Sequence, residues 1–477
     1  MTNKSMIDMT QGNPFSQIVK FTLPMLIGNV FQLLYNTVDA IVVGRFVGMH
    51  AFAAVGTSFP VFFLLLSFIF GLNMGSGVVI SQFYGAGKLE EVRRSVTTSV
   101  IFQLVCVAVM TVVGLVILEP LFRLMQVPAE IMADALIYAR IFFYGLVFMF
   151  GYNILAGILR SLGDSRTPLY FLIISTILSI ALSIWFVVSL RWGVAGVAWA
   201  TLIAQAISMV LCYMYIIKNI PLLTFTTKQL VYDHDIMRSI IRLAIPSSVQ
   251  QMIISLGFIT VQGLVNTHGT ATMAAFSAGG KVDSYATMPI MNFGQAISTY
   301  AGQNVGAWKI DRVRQGVRST IIICLGLCLV TSVLVFTFGP NLIAVFLDAD
   351  VEENITVIYQ GVDFIRTVSI FYIVFAVSGI MNGVLRGTGD AITPMVSSFL
   401  NLGLRVGCAY YLTSIPEISF RGLWWSIPIG WTAGALVPIY RYLSGKWIEN
   451  ARNRYEQMLH MTKEQPPLVD TALELDI

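Results

Sequence analysis

Gly157-Ile158-Leu159-Arg160-Ser161-Leu162-Gly163-Asp164-Ser165-Arg166-Thr167-Pro168 returns later in the chain as Gly383-Val384-Leu385-Arg386-Gly387-Thr388-Gly389-Asp390-Ala391-Ile392-Thr393-Pro394, with Gly, Leu, Arg, Gly, Asp, Thr and Pro in the same places. Two further pairs keep nearly the same interval. Gln82-Phe83-Tyr84-Gly85-Ala86-Gly87-Lys88 precedes Val92-Arg93, and Gln303-Asn304-Val305-Gly306-Ala307-Trp308-Lys309 precedes Val313-Arg314; Leu23-Pro24 answers Ile245-Pro246. A repeat this long and this regular marks a duplicated architecture.

What is duplicated is apolar. Hydrophobic residues make up 56% of the 477, charged ones only 11%, and the mean hydropathy is +0.77, outside the range of soluble globular chains. Stretches near the 20 residues a helix needs to cross a bilayer recur along the chain. They number about twelve, at 15–43, 52–81, 95–118, 133–159, 169–189 and 193–217, then 240–266, 272–301, 317–338, 359–385, 395–412 and 423–442. The fold class expected is therefore an all-α integral membrane protein, with twelve transmembrane helices in two pseudo-symmetric six-helix lobes. The domains read as an N-terminal segment (1–13), a first lobe (14–217), a linker (218–238), a second lobe (239–445) and a tail (446–477).

Basic residues fix the orientation, because Lys and Arg near helix ends stay on the cytoplasmic side. With the N-terminus inside, the inner segments hold Lys88, Arg93, Arg94, Arg160, Arg166, Lys218, Arg238, Arg312, Arg314, Arg386, Arg441 and Lys446, while the outer ones hold Arg45, Arg123, Arg191, Arg421 and the acidic Asp348, Asp350, Glu352 and Glu353. Both termini are expected in the cytoplasm. Residues 1–13 lack the features of a secretory signal. The net charge of +4 is accounted for by this asymmetry and calls for no nucleic acid. An even number of helices per lobe makes the repeat parallel, an arrangement that places a solute pathway between the halves.

Polar residues inside spans are costly and are candidates for function. Gln32, Asn36 and Asp39 are three or four apart and share a helix face with Tyr35 nearby. That carboxylate with its amides can take up a proton or a small cation. Asp283 is a second intramembrane carboxylate, with Lys281 close enough in sequence to neutralise it. Asn401 and Arg405 form a polar face in the eleventh span, and Met288 and Asn292 add adaptable apolar and amide surface. In the R-x-x-G-D-x-x-T-P segments, Asp164 and Asp390 can cap the next helix, Pro168 and Pro394 suit its first turn, and Arg160 and Arg386 can pair with those aspartates or with nearby carbonyls. The five cysteines fall inside apolar spans, and the four histidines, His50, His234, His268 and His460, lie outside or at the edges of spans with no metal-ligand spacing. No cofactor or metal is expected beyond a coupling ion, and no enzymatic activity.

In their order these features resemble the multidrug and toxic compound extrusion (MATE) family. The likeness rests on Leu23-Pro24, Asp39-Ala40-Ile41-Val42-Val43-Gly44-Arg45, the Gln82 and Gln303 segments, and the paired Leu159-to-Asp164 and Leu385-to-Asp390 segments, and it covers about residues 13 to 445. It implies two six-helix lobes about a central cavity, and export of cationic or amphipathic organic compounds against H+ or Na+. The family's first-helix aspartate matches Asp39, which with Asn36, Ser179 and Ser183 forms the expected coupling site. The expected cavity residues are Gln32, Tyr35, Asp283, Met288, Asn292, Asn401 and Arg405, and the expected structural or gating residues are Pro24, Arg160, Asp164, Arg386 and Asp390. The chain departs from the family pattern where other members carry carboxylates: it has Ser179 and Ser183 in the fifth span, none in the seventh, and Phe375 in the tenth. One carboxylate among hydroxyls suits H+ better than Na+, which wants several oxygens at fixed geometry. The rival reading is a lipid-linked precursor flippase, which would want a strongly basic cavity for pyrophosphate. The expected setting is the plasma membrane, as a monomer whose partners are organic solutes and lipid.

Overall fold

The computed structural model describes residues 6–223, 232–346 and 352–461, without the side chains of Asn36, Glu352, Glu353 and Asn354. The acidic positions Asp348 and Asp350, much of the expected linker and the tail beyond 461 lie outside the described residues. Regular structure in the described residues is helical: α1 (Pro14–Val42), α2 (Met49–Gly85), α3 (Leu89–Leu124), α4 (Ala129–Ser161), α5 (Arg166–Ile184), α6 (Gly193–Asn219), α7 (His234–Val265), α8 (Thr270–Gly306), α9 (Ile310–Ala344), α10 (Glu352–Ser369), α11 (Tyr372–Gly387), α12 (Ile392–Thr413), α13 (Arg421–Leu443) and α14 (Lys446–Met461). Among these residues eight helices are long and apolar enough to cross a bilayer, nine if α10 and α11 are taken as one span bent by 50°. The helices outside that set include α8 and α12, whose polar positions (Asn292, Gln303 and Asn304; Asn401 and Arg405) lower their apolarity and lie on packed faces.

The helix starts follow from capping chemistry. Asn13 accepts from the N–H of Ser16 with Pro14 in the first turn, and Asp233 accepts from the N–H groups of Asp235 and Ile236. Asp164 accepts from the N–H groups of Arg166 and Thr167, both at 3.0 Å, and from the Thr167 hydroxyl at 2.6 Å. Asp390 repeats this with the N–H (3.0 Å) and hydroxyl (2.8 Å) of Thr393. Gly163 and Gly389, just before these caps, hold φ of 87° and 96°, where a side chain is strained.

The tenth predicted span (359–385) is not one helix. It breaks between Ser369 and Tyr372, where no proline or glycine marks the sequence. The carbonyl freed at Ser369 accepts from the Ser332 hydroxyl of α9 at 2.8 Å, and Phe371 N–H turns back to Val368 O at 3.0 Å. A neighbouring helix thus satisfies what the break exposes, as irregular backbone at membrane depth requires.

The two repeats are interlocked. Ile18, Phe21 and Met25 of α1 join the apolar core of the second repeat, and Ile236, Ile240, Leu243 and Ala244 of α7 join that of the first. α2 lies against α7 at backbone distance: a Cβ at Gly71 would overlap the main chain of Ser248, and one at Gly75 that of Ala244. Below this seam α2 and α8 cross so closely that a Cβ at Gly85 would overlap Gln303 O, and one at Gly306 would overlap Gln82 O.

That crossing carries a reciprocal set of hydrogen bonds. Gln82 Nε2 donates to Gly387 O (2.9 Å) and Gln303 Nε2 to Ser161 O (3.1 Å), each reaching the loop segment of the other repeat. Gln82 Oε1 accepts from Arg454 of α14 (2.9 Å), and Gln303 Oε1 from the N–H of Met9 (3.1 Å). Residues 7–12 are pinned across the same face by Arg312, whose guanidinium donates to the carbonyls of Met9 (3.2 Å), Gln11 (3.1 Å) and Gly12 (2.9 Å). α14, which falls in the expected tail (446–477), packs Trp447 and Ala451 into the second core and Met458 into the first. This terminus-bearing side is called the terminal face below.

Gly71→Leu is expected to overpack the α2–α7 seam and cost about 1–3 kcal/mol, lowering the thermal unfolding midpoint in detergent. Gly326→Leu, at a position with open space around it, is expected to leave that midpoint unchanged.

Candidate solute site

A cavity of about 980 Å³ lies within the bundle, lined mainly by α1, α2, α4, α5 and α6, with Gln251 from α7 and Met291, Asn292, Gln295, Ser298 and Thr299 from α8. It belongs mostly to the first repeat. Its wall is apolar and aromatic (Phe52, Phe59, Phe62, Phe63, Phe142, Met149) with a few polar groups, the composition and size of a drug-sized ligand site. At the end far from the terminal face its lining is well exposed, Phe52 at 50% and Phe59 at 62%. At the other end Ser161 and Ser165 are buried, and the Gln82–Gln303 layer is fully buried.

Asp39 stands near the open end. α1 and α5 run parallel in register: Gly28 meets Leu172, and the same interval further along both helices Asp39 meets Ser183, whose hydroxyl donates to Oδ1 at 3.2 Å. The hydroxyls of Tyr35 and Thr201 face the same carboxylate, Tyr35 donating to Thr201 Oγ1 at 2.8 Å, and Tyr138 lies alongside. Just past this cluster both helices widen into π-type turns, Val43–Val47 and Trp185–Ser189, and Val42, Val43, Val187, Val194 and Val197 pack together in a small apolar cluster. Such turns are frequent at functional sites because they redirect a helix while keeping its bonds. Ser179, one turn before Ser183, is buried with a hydroxyl that has no partner among the described residues. The Asn36 side chain lies outside the described residues.

Gln32, Tyr35, Asn292, Pro24 and Arg160 line the cavity. The remaining cavity candidates, Asp283, Met288, Asn401 and Arg405, are not on its wall. Asn401 and Arg405 face α13, where a Cβ on Gly430 would press on both, and Arg405 lies 5.6 Å over the ring of Phe258. Asp283 is not neutralised by Lys281, whose ammonium sits 5.1 Å over the ring of Phe346; the carboxylate lies beside Tyr372 and in the field of Arg405. Phe375 packs its ring on Trp431 at 4.7 Å.

The pairing expected between Arg386 and Asp390 gives way to another. Arg386 donates to Gln250 of α7 at 2.8 Å, and Asp390 takes Arg441 (3.1 Å) and Asn450 (3.1 Å) instead. The helical turn between Arg386 and Asp390 is closed by Gly389, and Asp390 faces α13 and α14, which bring their own donors. Arg160 lines the cavity beside Tyr152. Sequence reasoning passed over Tyr138, Thr201 and Gln295, since single hydroxyls and amides on apolar helices carry no spacing signal. Among the described residues no group of three or more His, Cys, Asp or Glu could hold a metal.

A helical membrane bundle made of two like repeats, with a deep cavity open at one face and hydrogen-bonded shut at the other, is the architecture of a membrane transporter. The MatE family model matches residues 24–185 and again 246–411. The chain is 32% identical over 435 residues to the "Probable multidrug resistance protein YoeA" of Bacillus subtilis (strain 168), covering 90% of this chain and 93% of the relative. It is 28% identical to "Probable multidrug resistance protein YpnP" of the same organism, covering 92% and 97%. A solved structure titled "Outward-facing conformation of a multidrug resistance MATE family transporter of the MOP superfamily" shares the fold with a TM-score of 0.87 at 24% identity, covering 95% of this chain and 100% of that one. The chain belongs to the MatE family of membrane transporters.

The Tyr35–Thr201 hydrogen bond is expected to couple the two residues by about 1 kcal/mol. A thermal-stability cycle of Tyr35→Phe, Thr201→Val and the double variant measures it; strictly additive losses would show that the two hydroxyls do not act together.

Proposed function

We propose that this protein is a secondary active multidrug exporter, antiporting cationic or amphipathic organic compounds against H+ by alternating access. The observation that carries the reading is Asp39, the one carboxylate among the described residues that line the cavity, held among the hydroxyls of Ser183, Tyr35 and Thr201. The names of the relatives support the substrate class. The basic residues of the terminal face, among them Arg93, Arg94, Arg312, Arg314 and Arg441, support a plasma-membrane orientation with that face in the cytoplasm.

The mechanism follows from the cost of an ion in a cavity with little water. A lone carboxylate there gains from neutralisation, either by the cationic group of a solute or by a proton. One carboxylate cannot accept both fully, so each weakens the binding of the other by the same factor. Proton uptake from the open face discharges a bound cation outward. Proton release on the opposite side restores the charge that draws in the next solute. Hydroxyls suit this exchange, since Ser183, Tyr35 and Thr201 can donate to the carboxylate or accept from the acid. Na+ would want a fuller set of fixed oxygens.

Efflux of a fluorescent organic cation from proteoliposomes, under H+ and Na+ gradients imposed separately, tests the reading. The expected result is H+-driven export at the wild-type level and its loss by at least tenfold in Asp39→Asn. Export driven only by Na+ would refute the coupling ion, and normal gradient-driven export by Asp39→Asn would refute the role of the residue.

A further inference from the structure

Arg160 and Arg386 are the same residue of the two repeats, yet they end in opposite situations. Arg386 is buried and donates to Gln250 Oε1 at 2.8 Å. The register that aligns Leu23-Pro24 with Ile245-Pro246, and the two family matches beginning at 24 and 246, place Gly28 in the first repeat where Gln250 stands in the second. Gly28 has no side chain to offer and lines the cavity, as does Arg160. The Arg160 side chain makes no hydrogen bond or ion pair with any described residue, whereas the neighbouring Tyr152 hydroxyl is already committed to Pro168 O at 2.7 Å. Ser165 lines the same end, and its buried hydroxyl likewise has no partner among the described residues.

A guanidinium kept without a counter-charge inside a membrane protein is costly, and in the second repeat an amide meets part of that need. We infer that Arg160 and Ser165 form an anion subsite at the closed end of the cavity, taking a carboxylate or phosphate group of the transported solute. The guanidinium offers a planar fork of donors that matches such a group in two-point fashion, and the serine hydroxyl supplies a third donor. Gly28 is what leaves room for it. Asp39 lies about 16 Å from Gly28 along α1, so the cavity is an elongated chamber with a carboxylate at its open end and a guanidinium at its closed end. The solutes it fits best are long amphipathic compounds with an amine at one end and an acid at the other. This deepens the export reading and rests on it.

The test is equilibrium binding to the full-length protein in phosphatidylcholine nanodiscs, using an elongated fluorescent aromatic compound with a terminal amine and a distal carboxylate, and its methyl ester. The wild type is expected to bind the acid at least tenfold more tightly than the ester. Arg160→Gln is expected to bind both with the affinity of the ester. Gly28→Gln supplies the missing amide where an added Cβ meets only the ends of Leu172 (3.3 Å) and Leu169 (3.7 Å); it is expected to abolish the preference with Arg160 still present. It carries the test if Arg160→Gln folds poorly. Equal binding of acid and ester by the wild type, or a preference that survives in both variants, overturns the subsite while leaving the export reading standing. Failure of the wild type to bind either compound counts against both. A preference that disappears in phosphatidylglycerol nanodiscs assigns the guanidinium to a lipid headgroup, and one that disappears on adding inorganic phosphate in phosphatidylcholine assigns it to free phosphate; either overturns the assignment to the solute.

Discussion

The crossing of α2 and α8 at Gly85 and Gly306 sets the geometry of the rest. With no side chain at either position, each helix brings its glutamine against the backbone of the other repeat, and Gln82 and Gln303 reach the main chain at Gly387 and Ser161. A larger residue at either glycine would lift the helices apart by the width of a side chain and pull the two buried glutamine amides from the main chain they bind. From this fixed point the α2–α7 seam runs upward through Gly75 and Gly71 at backbone contact. The corresponding seam between α8 and α1 is lined instead by Asn292, Gln295 and Met291, and there the bundle parts to form the cavity.

The duplication is therefore kept at the crossing and the caps and broken in its chemistry. Both repeats keep the aspartate cap, the left-handed glycine before it and the glutamine beneath it. They differ in what lies above. In the first repeat Ser183 of α5 donates to Asp39, and Gly28 and Arg160 both line the cavity. In the second, Gln250 occupies the corresponding space and binds Arg386, and Phe375 closes on Trp431. The ring of Phe375 on Trp431 and the bond from Arg386 to Gln250 fill that half where the first is hollow. A bundle whose two halves were both hollow would have less buried surface to hold either one rigid.

Much of this was legible in the sequence because membrane spans announce themselves by length and apolarity, and a repeat by its interval. Asp39 was legible too, since a carboxylate with amides on one helix face has few uses inside a bilayer. What could not be read is which wall a polar residue faces. Asn401 and Arg405 have the same look in sequence as Gln32 and Asp39, but the glycines of α13 draw α12 against it and turn that face into a helix seam. The break at Ser369 depends on a hydroxyl from Ser332, far away in the chain, and the docking of α14 depends on Arg454 meeting Gln82. Both are long-range satisfactions of polar groups, and no local pattern encodes them. α14 falls in the stretch read as tail, yet three of its side chains enter two different cores.

The layer that closes the terminal face is made of bonds that water can replace. Its interlobe bonds go from side-chain amides to backbone carbonyls, and a guanidinium and a backbone N–H supply the remaining donors. When such bonds open toward water they are exchanged rather than lost, at a net cost of about 0.5–1.5 kcal/mol each. Four of them come to a few kcal/mol, the range that a ligand covers by preferring one state over the other by two or three powers of ten. The glycines at the crossing have no side chains to disengage, so parting there forfeits little interdigitated packing. An apolar seal of the same area would have no such exchange with water and would hold the face shut more firmly.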